Sequence, residues 1–388
     1  MSDPAAQAVA NPPGSDAASY HRTRRLIALS GYAFDAALLL ALLFAGWSTS
    51  IRSLAETLRP EPPLALLIYA LVLGLLFKAA SLPFDYLGGF WLEHRYGLSK
   101  LTWTGWLKDE AKGSLVGAVL GLLVLECFYS VARAWPEQWW LIAGVIFAGF
   151  FILMANLAPV VIVPIFFKIA PLANPALEDR LRRLMERGGA GVKGVYEWKL
   201  GEKTKKANAA LVGLGNTRRV LLADTLLQSF SEDEIEAVLA HELGHHVHGD
   251  IWSLLAIQTS ATFLGLYAVN LALTRWSRTF GFRGPSDFAN LPLVALITLA
   301  VSLLLLPVVN SFSRWLERRA DLYALQAIPD PSVFASSLER LAALNLAERQ
   351  PHPWVEFIFH SHPSIERRIR FVQNVAARTK PEPASAAR

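Results

Sequence analysis

The chain has 388 residues, of which 53% are hydrophobic and only 18% are charged. Soluble domains carry about a quarter charged residues, so this composition excludes a typical soluble protein and indicates a membrane protein. The formal net charge of +5 would suggest a nucleic-acid partner for a soluble chain, but here the basic residues flank apolar segments, and no nucleic-acid partner is expected.

Six apolar segments are long enough to cross a bilayer, which takes roughly 20 apolar residues in a helix. The predicted spans lie within residues 26–51, 63–90, 114–132 and 138–167, and within residues 251–274 and 291–313. This assigns four spans to residues 26–167 and two spans to residues 251–313. We expect residues 1–25 and 378–388 to be unstructured tails, and the first has no apolar core of the kind a signal peptide needs.

Four charged residues fall inside the predicted spans: Asp35, Lys78, Asp85 and Glu126. Charges at membrane depth usually face a protein interior or a water-filled cavity, so they favour a bundle with a wet centre. The alternative is that Lys78 and Asp85 lie near a helix end and extend their side chains to the bilayer surface.

Basic residues favour one orientation of these spans. They are concentrated in "HRTRR" (residues 21–25), in the 91–113 loop and after the fourth span, which the positive-inside rule places in the cytoplasm. Arg275, Arg278 and Arg283 lie in the opposite loop and count against this orientation.

Residues 168–250 have the composition of a small soluble domain. The stretch "EDRLRRLMERGG" predicts a charged helix that ends at a pair of glycines. The stretches "VKGVYEWKL", "NAALVGLG" and "NTRRVLLADTLL" predict three strands, the last of which turns into a helix at Asp224.

The stretch "SEDEIEAVLAHELGHH" (residues 231–246) predicts a helix with a well-marked start. Ser231 and Glu234 form a capping box, and acidic residues fill the first turn, where the helix dipole favours them. His241 and His245 are four residues apart and therefore share one face of this helix.

Two imidazoles in this arrangement can bind one metal ion, most simply zinc with a third protein ligand and one position left for water. The intervening Glu242 can then act as a general base that takes a proton from the water and passes it to the leaving amine. A five-residue motif is only moderately specific, and the alternative is a His-rich helix end that faces solvent. His246 and His248 do not share the ligand face and are expected not to bind the metal.

The third ligand is expected just after the sixth span, because that span returns the chain to the membrane face that carries the histidines. Glu317 occupies this position, and the alternative is that it is one more charge in the run "ERRAD". Asp321 follows on the same helix face, where it can accept a hydrogen bond from a ligand histidine and fix its orientation. Residues 314–377 are predicted to be helical throughout.

Five stretches in consistent order resemble the type I CAAX prenyl proteases, which are integral-membrane zinc metallopeptidases. They are "LPFDYLGGFWLEHRYGLSKLTWTGWLKD", "NAALVGLGNTRRVLLADTLL", "VLAHELGHHVHGD", "NSFSRWLERRADLYA" and "HSHPSIERRI". The resemblance implies one zinc ion per chain, held by His241, His245 and Glu317, with Glu242 as the general base. It assigns further roles to His362 as oxyanion stabiliser, to Asn208, Ala209 and Ala210 in an edge strand that aligns the substrate, and to Arg368 and Asn310 near the substrate.

The fold expected from this resemblance is a mainly all-α membrane protein. It is a polytopic transmembrane helix bundle around an intramembrane chamber, with a small α+β zinc metalloprotease domain, whose short sheet has an edge strand, on the cytoplasmic side. Eukaryotic members usually have seven spans, so the six predicted here depart from them, as do Ala210 in place of an aromatic residue and Ser364 in place of a proline.

The expected function is that of a membrane-embedded zinc metalloendopeptidase that cleaves peptide bonds of membrane-associated substrates. It resembles the CAAX prenyl protease, which removes the C-terminal tripeptide from isoprenylated CAAX proteins. The expected partners are a peptide or protein substrate, isoprenylated or not, and membrane lipid, without an obligate partner protein. The expected location is the bacterial cytoplasmic membrane, or the endoplasmic reticulum membrane for a eukaryotic source.

Three alternatives stay open on the sequence alone. The first is a quality-control metallopeptidase that degrades membrane proteins without requiring a prenyl group. The second is an intramembrane protease of the site-2 type, which the polar, acid-capped helix around His241 disfavours. The third is a catalytically silent scaffold or channel, which the presence of every expected catalytic residue disfavours.

Overall fold

The computed structural model describes residues 14–379, and helices dominate this range. The helices are α1 (Gly14–Phe44), α2 (Trp47–Leu58), α3 (Pro62–Asp85), α4 (Leu92–Arg95), α5 (Trp103–Ala134), α6 (Trp139–Leu157), α7 (Val163–Phe166), α8 (Pro175–Arg187), α9 (Asp224–Ser229), α10 (Glu232–Val247), α11 (Asp250–Trp276), α12 (Leu291–Ala327), α13 (Pro331–Leu344), α14 (Pro353–Phe359) and α15 (Ile365–Thr379). The strands are β1 (Ile169–Pro171), β2 (Val195–Trp198), β3 (Ala209–Val212) and β4 (Arg219–Ala223). Short π-helical turns join α3 to α4 and α6 to α7.

Within the described residues, six helices are long and apolar enough to cross a membrane, as the sequence predicts. They include α1, α3, α5, α6, α11 and α12. At most 22% of the most apolar window of each is buried inside the protein, so most of these apolar residues face lipid or open space, while one shared core of buried residues joins the spans. This supports a bundle built around a chamber.

The first span differs from its predicted bounds at both ends. Helix α1 begins at Gly14, so residues 14–25 are helical and the prediction of an unstructured tail is wrong for them. Long-range contacts hold this segment, since Arg25 pairs with Glu348 at 2.8 Å. The helix ends at Phe44, because Gly46 adopts a left-handed φ of 70° before α2 begins. The rest of the predicted tails, residues 1–13 and 380–388, lies outside the described residues, and α15 runs to Thr379.

Three of the four charges predicted to lie inside the membrane, Asp35, Lys78 and Asp85, lie between helices of the bundle, whereas Glu126 pairs with Arg133 at 3.8 Å. Lys78 forms ion pairs with Asp85, at 2.9 Å, and with Glu110. Asp35, Asp85 and Glu110 line a cavity of about 480 Å³ between α1, α3 and α5. Lys78 is therefore paired inside the bundle rather than extended to the bilayer surface.

A four-stranded sheet forms the centre of the small domain, with the strand order β1-β2-β4-β3. The three strands predicted from the sequence are present, and β4 passes directly into α9 at Asp224. Strand β1 was not predicted, because its three residues adjoin a long apolar run and show no alternation of their own. This strand order leaves β3 at one edge of the sheet, where it contacts helix α10.

Helix α12 joins the membrane to the small domain. It is continuous over 37 residues, although Pro307 lies inside it. The preceding residue, Asn290, is fully buried and accepts a 2.8 Å hydrogen bond from the Tyr129 hydroxyl, which fixes that end of the helix. The other end packs against α10, so α12 runs from the bilayer directly to helix α10 of the small domain.

Helix α10 has the start predicted for it. The Ser231 and Glu234 side chains form a reciprocal capping box with each other's backbone amides. Gly244 lies where α10 crosses α12, and a Cβ atom at this position would be only 2.9 Å from Ala320 Cα. The absence of a side chain therefore allows the two helices to approach closely at this level.

Candidate metal centre

Three side chains from two helices converge where the small domain meets the membrane bundle. His241 and His245 project from α10, and Glu317 projects from α12. His241 Nε2 lies 3.3 Å from Glu317 Oε2, and His245 Nε2 lies 3.3 Å from Glu317 Oε1. One ligand atom from each residue falls within 4.8 Å of the others, so these three residues could hold a metal ion.

The spacing of these atoms is close enough for one metal ion. Ligand atoms about 2.0–2.1 Å from a tetrahedral centre are about 3.3 Å apart, and each imidazole nitrogen lies at this distance from a different oxygen of Glu317. Glu317 is also buried, and the groups nearest to its Oε2 are two ring nitrogens, His241 Nε2 at 3.3 Å and His362 Nδ1 at 2.9 Å. A buried carboxylate is unfavourable unless positive charge lies beside it. The three residues therefore fit a bound divalent cation.

A carboxylate behind each ligand histidine orients its ring. His241 Nδ1 lies 2.9 Å from Asp321 Oδ1, and His245 Nδ1 hydrogen-bonds to Asp250 Oδ2 at 2.8 Å. Both rings thus direct Nε2 toward Glu317. Sequence analysis identified Asp321 but missed Asp250, which opens the next helix after Gly249 turns the chain with a left-handed φ of 67°. The signal was a carboxylate immediately after the motif, in "GHHVHGD".

Two arginines hold these carboxylates in turn. Arg368 donates hydrogen bonds of 2.5 and 2.9 Å to the two oxygens of Asp321. Arg319 donates one of 2.7 Å to Asp250. Asp321 and Asp250 are each only 1% exposed, so the arginines compensate charges that water does not reach. The guanidinium of Arg368 is thereby engaged with Asp321.

The carboxylates make the cluster favourable for positive charge. Burial disfavours protonation of His241, but its contacts with Asp321 and Glu317 outweigh burial and raise its pKa to about 9. Burial also acts to lower the pKa of His245, and the contact with Glu317 more than offsets it, so that this pKa is raised as well. Surroundings that stabilise an imidazolium also stabilise a bound cation.

Glu242 lies between the two histidines in the sequence and is half-buried. Its carboxylate forms no hydrogen bond or ion pair with any residue in the described range. Both oxygens are therefore available to water or substrate. His246 and His248 do not belong to the ligand group, and His248 Nδ1 lies 2.8 Å from the Gly244 carbonyl oxygen.

The structure brings His362 to the cluster but gives Asn310 another contact. His362 Nδ1 lies 2.9 Å from Glu317 Oε2, and its side chain is 62% exposed, so part of the ring faces the surroundings. Asn310 is buried on α12, and its Nδ2 donates a 2.6 Å hydrogen bond to the Ile358 carbonyl oxygen. The Asn310 amide group thus fixes α14 to α12.

The edge strand occupies the position predicted for it. Ala209 and Ala210 belong to β3, and Asn208 immediately precedes it with its carbonyl oxygen bonded to the Ala223 amide at 2.9 Å. Within the described residues, β3 pairs with β4 alone and leaves its other edge without a partner strand. An extended peptide can pair with such an edge beside α10.

Comparison with known families accounts for nearly the whole chain. Residues 171–376 match the family described as peptidase family M48. Residues 6–168 match the family described as the CAAX prenyl protease N-terminal region with five membrane helices. Four of the six candidate spans described above fall in this second range.

Individual relatives match over most of their length. The chain is 28% identical to an uncharacterised metalloprotease of Bacillus subtilis, YhfN, over 92% of this chain and 84% of that protein. It is 28% identical to CAAX prenyl protease 1 of Saccharomyces cerevisiae, over 79% of this chain and 72% of that one. The crystal structure of S. mikatae Ste24p has the same fold, with a TM-score of 0.82, 24% identity, and coverage of 92% of this chain and 88% of that one.

Proposed function

The chain belongs to peptidase family M48, and from this premise we propose that it is a zinc endopeptidase that cleaves membrane-associated proteins at the cytoplasmic face of the bilayer. The membrane-spanning helices and the metallopeptidase family are findings. The identity of the metal, the side of the membrane, the roles of individual residues and the substrate are the proposal.

One observation supports the zinc assignment above all others. Glu317 is a buried carboxylate whose two oxygens each lie 3.3 Å from the Nε2 atom of one histidine of α10. Two histidines and one glutamate form a common ligand set of catalytic zinc, which keeps a fourth position for water. We assign one zinc ion per chain to His241, His245 and Glu317.

When bound, zinc would polarise the scissile carbonyl group and make the attacking water more acidic. Glu242 accepts a proton from that water and later delivers it to the leaving amine, a role that its unpaired carboxylate allows. His362 directs an N–H group at the developing oxyanion from its exposed side. Strand β3 aligns the substrate by backbone hydrogen bonds, with Asn208, Ala209 and Ala210 at its free edge.

Four residues position the ligands without contacting substrate. Asp321 and Asp250 fix the orientation of the two imidazoles, and Arg368 and Arg319 hold these carboxylates in place. This assignment differs from the substrate contact that the resemblance implies for Arg368, because the guanidinium is already engaged with Asp321. Asn310 holds α14 against α12 and therefore supports the site indirectly.

The location of the site favours a lipid-modified substrate. Glu317 lies four residues beyond residues 291–313, the uncharged run of α12, which is about 6 Å along a helix. A peptide bond cut at this level belongs to a chain held at the bilayer surface. We therefore propose isoprenylated CAAX proteins as substrates, and the bacterial cytoplasmic membrane as the location, with the small domain in the cytoplasm.

A comparison of two peptides tests the substrate. The purified protein in a neutral detergent is given a farnesylated CAAX peptide and the same peptide with an unmodified cysteine, each with and without a zinc chelator. We expect release of the C-terminal tripeptide from the farnesylated peptide, at least tenfold faster than from the other, and loss of both reactions with chelator.

Two results would change the proposal. Equal cleavage of the two peptides would contradict the prenyl preference and favour degradation of membrane proteins in quality control. Cleavage that persists at the same rate after the metal has been removed would contradict the zinc mechanism itself.

A further inference from the structure

An arginine-rich cavity lies behind the metal centre, on the side of α12 that faces α15. It has a volume of about 430 Å³ and is lined by Arg318, Asp321, Pro363, Arg367, Arg368, Arg370, Phe371 and Asn374. Four arginines and one aspartate leave a net of three positive charges on its wall. Two of these residues, Asp321 and Arg368, also position the metal centre, and the other six have no role in the proposed peptidase mechanism.

One of these arginines has no acidic partner, and two others remain exposed although they are paired. Arg318 is exposed and forms no hydrogen bond or ion pair with any residue in the described part of the chain. Arg367 and Arg370 form ion pairs with Glu356 and Glu366 at 3.4 and 3.3 Å, and their side chains are 56% and 63% exposed. Arg368 is held by Asp321. Arg318 can thus bind an anion, and the exposed guanidinium groups of Arg367 and Arg370 can add to its binding.

The depth of the cavity matches the headgroup layer of a bilayer. Arg318 lies five residues beyond residues 291–313, the uncharged run of α12, which is about 7 Å along a helix. The headgroup layer on each side of the hydrocarbon core is about 5–8 Å thick. Trp315, one turn before Arg318, is 50% exposed, as is usual for tryptophan at the membrane interface.

The chemistry of the wall selects phosphate. A guanidinium group offers a planar pair of donors that matches phosphate oxygens, and several such groups together favour a phosphodiester over a single carboxylate. Phe371 and Pro363 add an apolar surface for the glycerol part of a lipid. We propose that this cavity binds the headgroup of an anionic phospholipid from the surrounding membrane. The inference does not depend on the peptidase activity.

Native mass spectrometry in a neutral detergent tests this proposal. The protein is titrated with dioleoyl phosphatidylglycerol, dioleoyl phosphatidylcholine and inorganic phosphate. We expect the first phosphatidylglycerol to bind at least fivefold more tightly than phosphatidylcholine. The double variant Arg318→Gln/Arg370→Gln should weaken phosphatidylglycerol binding about tenfold and bring it to the level of phosphatidylcholine.

A matched control separates this site from a general effect of charge. Arg183 and Arg187 on α8 are also exposed and also pair with acidic residues, so Arg183→Gln/Arg187→Gln removes the same charge elsewhere. We expect the control variant to bind phosphatidylglycerol as the unmodified protein does. The single variant Arg318→Gln breaks no contact of the fold, and it should lose part of the affinity while its circular dichroism is unchanged.

Two outcomes would overturn the proposal. Equal phosphatidylglycerol binding by the test and control variants would exclude the cavity as the lipid site. Inorganic phosphate that binds as tightly as the lipid, and only when Arg318 and Arg370 are present, would assign the cavity to free phosphate instead.

Discussion

At the level of single residues, Glu242 differs from the other carboxylates of the site because it forms no hydrogen bond or ion pair with the described residues. Replacement by Gln keeps the shape of the side chain but removes its ability to accept a proton. We expect Glu242→Gln to retain one metal ion per chain and to lose peptidase activity by roughly 10²–10⁴-fold, the range typical of general acid–base catalysis.

Metal content by mass spectrometry and the rate of peptide cleavage check this expectation. His246→Gln is the control, because His246 lies outside the ligand group and both quantities should stay near normal. A Glu242→Gln protein that keeps near-normal turnover would refute the role of general base.

Asp250 is a second residue whose effect can be predicted from its contact. It hydrogen-bonds to His245 Nδ1, so Asp250→Asn weakens the orientation and basicity of one ligand without removing it. We expect zinc affinity to fall about 10–100-fold, as for other carboxylates behind metal-bound histidines. Competition with a fluorescent chelator measures this. Asp179→Asn on α8, where the side chain is 74% exposed, should leave the affinity unchanged.

The sequence predicted which residues cluster at the site, but it did not predict every residue that holds them in position. His241, Glu242 and His245 follow from spacing on one helix, and Glu317 follows from the level at which the last span ends. Asp250 could not be found in this way, because its contact with His245 depends on the turn at Gly249 rather than on helical spacing. The contacts of Glu317 with the two histidines depend on packing between α10 and α12 and are likewise not encoded in any local pattern.

At the level of secondary-structure elements, the close crossing of α10 and α12 sets the distance between the two sets of ligands. In Gly244→Ala, the new Cβ would lie 2.9 Å from Ala320 Cα and 3.1 Å from the Ala320 carbonyl oxygen. Backbone atoms cannot rotate away, so the helices must separate, at a cost of about 1–3 kcal/mol in unfolding free energy. We expect zinc affinity to fall as well, because Glu317 moves with α12.

The midpoint of thermal unfolding and the chelator competition together measure this effect. Gly191→Ala serves as the control, since a Cβ at Gly191 meets nothing within 4 Å. If Gly244→Ala bound zinc as tightly as the control, the spacing of these two helices would not govern the site.

Element boundaries were predicted well where the chain gives a strong local signal. The capping box at Ser231 marks the start of α10, and Asp224 marks the change from β4 to α9. The first three turns of α1, residues 14–25, were missed because their polar composition resembles that of a tail. Contacts with distant parts of the chain, such as that of Arg25 with Glu348, hold these turns in place. Such tertiary effects are outside the reach of local patterns.

At the level of the whole molecule, bound metal should stabilise the small domain. His241, His245 and Glu317 come from helices on either side of a long membrane hairpin, so a metal ion links parts distant in sequence. At a metal concentration about 1,000 times the dissociation constant, binding contributes about 4 kcal/mol to the unfolding free energy. We expect chelation to lower the midpoint of thermal unfolding by several degrees.

Differential scanning fluorimetry with and without chelator measures this shift. Glu242→Gln should show the same shift as the unmodified protein, whereas His241→Ala should show none because a ligand is missing. A shift of equal size in His241→Ala would mean that the chelator acts elsewhere.

Hydropathy alone was sufficient to predict the six spans, since each is a long apolar run. The charges within these runs were sufficient to predict a cavity, which Asp35 and Asp85 line. The arrangement of the spans around that cavity required the family resemblance. Helix order in a bundle depends on packing between distant segments, and neither the length nor the hydrophobicity of α5 or α11 specifies its neighbours.

Helix α12 is anchored at Asn290 on one side of the bilayer and carries Glu317 beyond the other. The 27 residues from Leu291 to Glu317 form a rod about 39 Å long. A change of tilt of about 5° would displace the carboxylate by about 3 Å, more than the length of a bond to zinc. Hydrophobic mismatch with the bilayer favours a change of tilt, and the packing of α12 against α10 and α11 opposes it. We therefore expect the rate of peptide cleavage to depend on the acyl-chain length of the host lipids, without any change in the protein.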